Sequence, residues 1–310
     1  MTLTGLLTGP LLTGPSATPR FAVGSTWWNQ LFDYADYGEM LVLVRGSVLA
    51  GALLALVGGL VGVFVMQRDL AFAVHGVSEL SFAGAAAALL VGVDVAVGSV
   101  GGSLLAAVIV GLLGHRARDR NSIIGVLMPF GLGLGVLFLA LYPGRAANKF
   151  GLLTGQIVAV DAARVTTMTV LTVVVVGGLM VVWRPLTFAS VDPEVAAARG
   201  VPVRALSLVF MVLLGIAVAM AVQIVGALLV LSLLITPAAA AVRLTASPVW
   251  VPVLSVVFAE VAALGGILLA LGSSVPISPY ITTISFVIYL VARRVGSYRA
   301  SRGRGMARPA

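Results

Sequence analysis

Nine apolar runs, most of them 18 to 26 residues long, follow one another along this chain, and arginines sit in the breaks between them. A helix rises 1.5 Å per residue, so about 20 residues cross a hydrocarbon core of about 30 Å. Inside hydrocarbon the backbone must satisfy its own polar groups, which makes such runs helices. The runs are Leu41–Met66, Leu70–Val93, Val95–Gly114, Ile123–Tyr142, Val165–Trp183, Ala205–Val222, Ile224–Val242, Val249–Leu271 and Ile277–Ala292. Only Gln223 and Gly226 divide the sixth from the seventh. The expected fold is therefore all-α: a polytopic membrane protein with about nine transmembrane helices in one domain, 39–294. Composition agrees, since 60% of residues are hydrophobic and 10% charged, against about 25% charged in soluble domains.

The two ends differ from this middle. No Lys or Arg precedes Arg20, so the positive start of a signal peptide is missing. Leu-Leu-Thr-Gly-Pro occurs twice in tandem, and Trp27, Trp28, Tyr34 and Tyr37 follow it. Residues 1–38 are read as a flexible leader ending in a short interfacial helix. Residues 295–310 are read as a basic, disordered tail that anchors on anionic lipid.

Charge placement orients the spans. If the first span runs outward to inward, 14 of the 19 Lys and Arg residues fall on one side, among them Arg68, Arg120, Arg184, Arg199 and the tail arginines. Five fall on the other: Arg20, Arg45, Arg145, Lys149 and Arg164. The richer side is cytoplasmic by the positive-inside rule, and the C-terminus with it. Arginines that punctuate apolar runs are topology signals, and a nucleic-acid partner is not expected. The segment 148–161 is apolar but too short to span, and reads as re-entrant or surface-lying.

Several chemistries are excluded. The chain has no Cys, and its histidines are His75 and His115 alone. Thiolate sites, disulfides and a His-rich metal cage are impossible within it. It has no Gly-x-x-x-x-Gly-Lys-Ser/Thr loop, and Lys149 is its single lysine, so it does not hydrolyse ATP by that route.

What remains is a small set of polar groups at membrane depth. His75 and Glu79 stand four apart in the second run, on one face of a helix. An imidazole and a carboxylate there are costly, and both are ligands a divalent metal accepts. They are either transient metal ligands lining a path or a hydrogen-bonded pair that locks helices together. Glu260, inside the eighth run, is a second candidate to line a path. Asp94 falls near an outer edge, and His115 in a loop among Arg116, Arg118 and Arg120. Asp192-Pro193-Glu194 is a helix start, with an N-cap acid, Pro at the first position and an acid in the first turn; Arg199 and Gly200 close it. The glycines around Gly98–Gly102 and Gly131–Gly135 have the spacing of close helix packing.

Several stretches together resemble the permease subunits of bacterial zinc/manganese ABC importers, the ZnuB-like family. The clearest is Val225-Gly226-Ala227-Leu228-Leu229, continuing through Leu233-Leu234-Ile235-Thr236-Pro237-Ala238-Ala239. It is similar to the family's V-G-x-L-L…L-L-I-x-P-A-A span. Phe64 to Arg68, Asp192 to Val201, Asn121 to Val126 and Thr154 to Gln156 also find counterparts. The resemblance implies an importer in a bacterial plasma membrane. Two permease copies form a homodimeric path, two cytoplasmic ABC ATPase subunits power it, and an extracytoplasmic metal-binding protein delivers the cargo. No cofactor is permanently bound; the divalent metal, zinc first and manganese or iron next, is what is carried. The Asp192–Gly200 helix would couple to the ATPase. This chain departs from the family's G-D-x-L-x-H at the pair itself: His75 takes the Asp position and Glu79 the His position. Gln156 stands where many members have an acid, and is kept with Glu260 as a path-lining candidate. The class of function open beside it is an ion-coupled secondary transporter working without an ATPase, with Glu79 or Glu260 as proton carrier.

Overall fold

The computed structural model describes residues 44–114, 117–144, 160–271 and 277–306, with residues 38, 41, 151 and 152. Every regular element among the described residues is helical. In chain order they are α1 (Arg45–Gln67), α2 (Ala71–Val91), α3 (Val95–Leu113), α4 (Ala117–Leu141), α5 (Ala162–Val191), α6 (Pro193–Ala198), α7 (Val203–Val225), α8 (Val230–Leu234), α9 (Thr236–Leu244), α10 (Trp250–Ala270) and α11 (Ile277–Met306). Apart from Gly38, the leader lies outside the described residues, as do His115, Lys149 and Gln156 and most of the segment read as re-entrant.

Seven of these helices, α1 to α5, α7 and α10, are long and apolar enough to cross a membrane, so the expected nine is not matched one for one. The seventh predicted run is broken. Gly226 takes φ 84 and ψ 159, a region that is essentially glycine's alone, and ends α7. A single 3-10 turn, the short α8, and then α9 with Pro237 in its first turn follow. A proline there cannot continue a preceding helix, which accounts for the second break. The broken segment nevertheless runs beside α11. Ser278 Oγ donates to Val225 O at 3.3 Å, and a Cβ on Gly296 would meet Arg243 O at 2.3 Å. Eighteen residues separate the two contact points on both strands of this pair, which on the continuous α11 is about 27 Å at 1.5 Å per residue.

Two boundaries correct the sequence reading. α5 does not stop at Trp183 but passes Arg184 and Pro185 to Val191. Leu186 and Ala189 are buried beyond the proline. Thr187 and Ser190 also bond back to Trp183 O and Leu186 O, and together these hold the helix past the missing N–H. The tail read as disordered is helical to Met306, as a direct extension of α11; arginine is a good helix former once a turn is already in place.

α2 packs on α3, α4 and α7; α1 packs on α5 and α10; α9, α10 and α11 form a third group against α1. Small residues set the distances. A Cβ on Gly102 would lie 2.2 Å from Leu80 O, and one on Gly98 2.3 Å from Gly84 O. Of the expected packing glycines, Gly98, Gly102, Gly131 and Gly135 are in contact with a neighbouring helix, whereas Gly101 and Gly133 face open space. Ser81 Oγ and Ser99 Oγ, 2.8 Å apart, join α2 to α3, and Ser255 Oγ donates to Gly59 O at 2.7 Å to join α10 to α1. Close backbone approach and interhelical hydroxyls replace the hydrophobic drive that lipid removes.

Candidate functional site

α2 opens after a three-residue turn, Arg68-Asp69-Leu70, in which Asp69 takes a left-handed φ of 57. His75 lies one turn into the helix and Glu79 two. Their side chains meet: His75 Nε2 is 3.8 Å from Glu79 Oε1. That is ion-pair range, longer than a hydrogen bond. Glu79 is 4% exposed, while the imidazole is 31% exposed. His75 Nδ1 and Glu79 Oε2 are buried and without a hydrogen-bond partner among the described residues. Both side chains therefore belong to one helix and leave an imidazole nitrogen and a carboxylate oxygen unused.

Buried lone pairs left open are what a passing divalent cation coordinates. Two donors do not enclose it: among the described residues, no three or more His, Cys, Asp or Glu side chains come together as a metal site. Zinc held structurally takes four ligands. The arrangement thus offers two donor side chains from one helix.

The other candidates fall elsewhere. Glu260 is half-buried in α10, which packs on α1, α9 and α11 and so is not brought to the pair. Asp94 caps α3, accepting from Ala96 N at 2.7 Å and Val97 N at 3.4 Å. Asp161 caps α5 in the same way, through Arg164 N at 3.0 Å. Both acids line a groove of about 650 Å³ with Arg164, Thr167 and Gln223.

The Asp192 loop folds as its sequence predicts. Asp192 Oδ1 accepts from Glu194 N at 3.1 Å and Val195 N at 3.0 Å, Pro193 is the first residue of α6, and Gly200 ends it at φ 82. Ala196 is fully buried, and an apolar groove of about 610 Å³ runs along Pro193, Glu194, Ala197, Pro202 and Arg204.

A cluster that sequence reasoning missed ties this loop to α2. The Phe64 ring at the end of α1 meets Trp183 of α5 edge-on at 4.9 Å and Phe210 of α7 at 5.8 Å. Arg68 lies over Phe210 at 5.8 Å and donates to Ser207 Oγ. α5 and α7 are the two helices that hold α6 between them, so its mount and the turn that starts α2 share one aromatic clamp. The only hint in the sequence is an aromatic near the end of three separate runs.

Residues 40–296 match the family model described as the ABC 3 transport family. The manganese transport system membrane protein MntC of Halalkalibacterium halodurans is 25% identical over 267 residues, which is 86% of this chain and 89% of that protein. The high-affinity zinc uptake system membrane protein ZnuB of Haemophilus influenzae is 24% identical, over 82% of this chain and 97% of that one. The solved structure of PsaBC from Streptococcus pneumoniae in complex with a Fab matches with a TM-score of 0.76, at 24% identity, covering 86% of this chain and 99% of that chain.

Proposed function

The chain belongs to the ABC 3 transport family, and on that premise we propose that it is the permease subunit of an importer for a divalent transition metal, zinc first. As a membrane subunit of an ABC transporter it is not itself an enzyme. The observation that carries the metal reading is the pair: an imidazole and a carboxylate 3.8 Å apart inside a span, each with an unused buried ligand atom. Zinc accepts nitrogen and oxygen donors alike, whereas manganese prefers oxygen-rich sites. The single histidine favours zinc; Glu79 keeps manganese as the second reading, in line with the manganese transporters among the relatives. Iron is the third possibility.

The two ligands of one chain are completed by the same two from a second copy across a two-fold axis. Such a site is weak when half-formed, which suits conduction, because tight binding would trap the ion. An extracytoplasmic binding protein delivers the metal on the side poor in arginine. ABC ATPase subunits dock on α6, through Asp192, Pro193, Glu194, Arg199 and Gly200, on the arginine-rich side, where the C-terminus also lies. Closure of the ATPases moves α6, and the Trp183–Phe64–Phe210 clamp passes that movement to the root of α2. Family membership leaves no support for a carrier that works without an ATPase.

The reading is tested by reconstituting the permease with its ATPase in liposomes and measuring uptake of radioactive zinc and manganese. ATP-dependent uptake, with zinc preferred, is the expected result. Uptake driven by an ion gradient without ATP would overturn the reading.

A further inference from the structure

The α1–α2 turn borders a third, smaller cavity of about 40 Å³, lined by Arg68, Leu70, Gly111, Gly114, Arg120 and Ser207. Two guanidinium groups face it, Arg68 from the turn and Arg120 from α4. Arg68 uses one Nη2–H on Ser207 Oγ and its face on Phe210. Arg120 donates through Nη2 to Asp69 O at 3.3 Å and Arg68 O at 3.5 Å. Arg68 Nη1 and Arg120 Nε are buried and have no acceptor among the described residues. Each belongs to a group that carries only donors and no acceptor. Among the described residues, the acid whose charge reaches this pair is Asp69, through Arg120.

We propose that Arg68 and Arg120 together hold a chloride-sized anion in this cavity. The space admits a small ligand: a water needs only about 10–15 Å³ of such volume, so one monoatomic ion fits between the two guanidinium groups. Charge decides between ion and water. A water can accept from both orphaned N–H groups but leaves the excess positive charge in place, whereas an anion satisfies the donors and cancels the charge. Burial and the neighbouring Arg120 both hold the Arg68 guanidinium below its ordinary range, as expected of a cation short of a counter-charge. The bound ion would fasten the turn that starts α2 to α4 and α7. This site stands apart from the cargo pathway and does not depend on which metal is carried.

The test is thermal unfolding of the purified full chain in sodium chloride against sodium gluconate at equal ionic strength. The unaltered protein is expected to melt about 2–4 °C higher in chloride, and Arg120→Gln is expected to melt alike in both salts. Equal melting of the unaltered protein in the two salts, or a gain that persists in Arg120→Gln, would overturn the proposal. Should that variant fail to fold, a structure of the unaltered protein in bromide decides: anomalous density between the two guanidinium groups upholds the site, and its absence rejects it.

Discussion

α2 and the Arg120–Leu141 part of α4 lie against each other, yet their compositions and placements run in opposite directions. The first has a mean hydropathy of 1.5 and is 67% buried; the second reaches 2.4 and is 22% buried. In water the more apolar helix would be the inner one. In lipid the tails solvate an apolar face as well as any core does, so the polar residues move inward. His75, Glu79, Ser78 and Ser81 all belong to the less apolar helix, and the last three of them are buried. α4 turns Val126, Phe130, Val136 and Leu141 outward. Between these two helices hydropathy ranks depth in reverse, whereas α7, the most apolar of the seven spans at 2.8, is also 78% buried; hydropathy finds the spans, and in this pair the polar residues mark the inner helix.

The largest expected break of that contrast is steric. A Cβ on Gly62 of α1 would lie 2.0 Å from Leu234 O, so Gly62→Leu should cost about 3 kcal/mol or more and yield little folded protein on size-exclusion chromatography. Gly133→Leu, on the outward face of α4 with nothing within 4 Å of its Cβ, should purify as the native chain does. Next comes the coupling loop. Asp192→Ala removes a cap that satisfies two N–H groups and should cost about 1 kcal/mol, read as a lowered melting temperature and weaker co-purification of the ATPase. Ser255→Ala breaks the bond from α10 to Gly59 O and should cost about 0.6–1.7 kcal/mol in lipid or detergent. The smallest effect belongs to the lipid face: Val181 is 82% exposed, and Val181→Ala should change stability by about 0.5 kcal/mol or less. A loss at Val181 equal to that at Ser255 would erase the distinction between inner and outer faces and point instead to a covering subunit.

Much of this was legible beforehand, for identifiable reasons. The spans follow from run length, and the His75–Glu79 contact follows from a spacing of four on a helix, both local properties. α6 was readable from Asp192, Pro193 and Gly200 because caps act within a few residues. The first break, at Gly226, was readable as the division between the sixth and seventh runs; the second, before Pro237, was not, because an apolar run on both sides of it masks a backbone that changes direction. The extension of α5 past Pro185 depends on burial of Leu186 and Ala189 against other helices, which no local rule contains. The Arg68–Ser207 contact joins positions 139 residues apart, so the clamp and the arginine cavity are products of tertiary packing alone.

The central claim is that the polar face of α2 conducts the metal. It is tested most directly by zinc uptake into liposomes holding the assembled transporter, comparing His75→Ala/Glu79→Gln with Glu260→Gln and with the unaltered protein, and with ATPase activity measured in parallel. The account predicts that the double variant assembles and hydrolyses ATP but loses at least about tenfold in uptake, while Glu260→Gln stays near the unaltered rate. Unchanged uptake by the double variant, or a loss confined to Glu260→Gln, would contradict it.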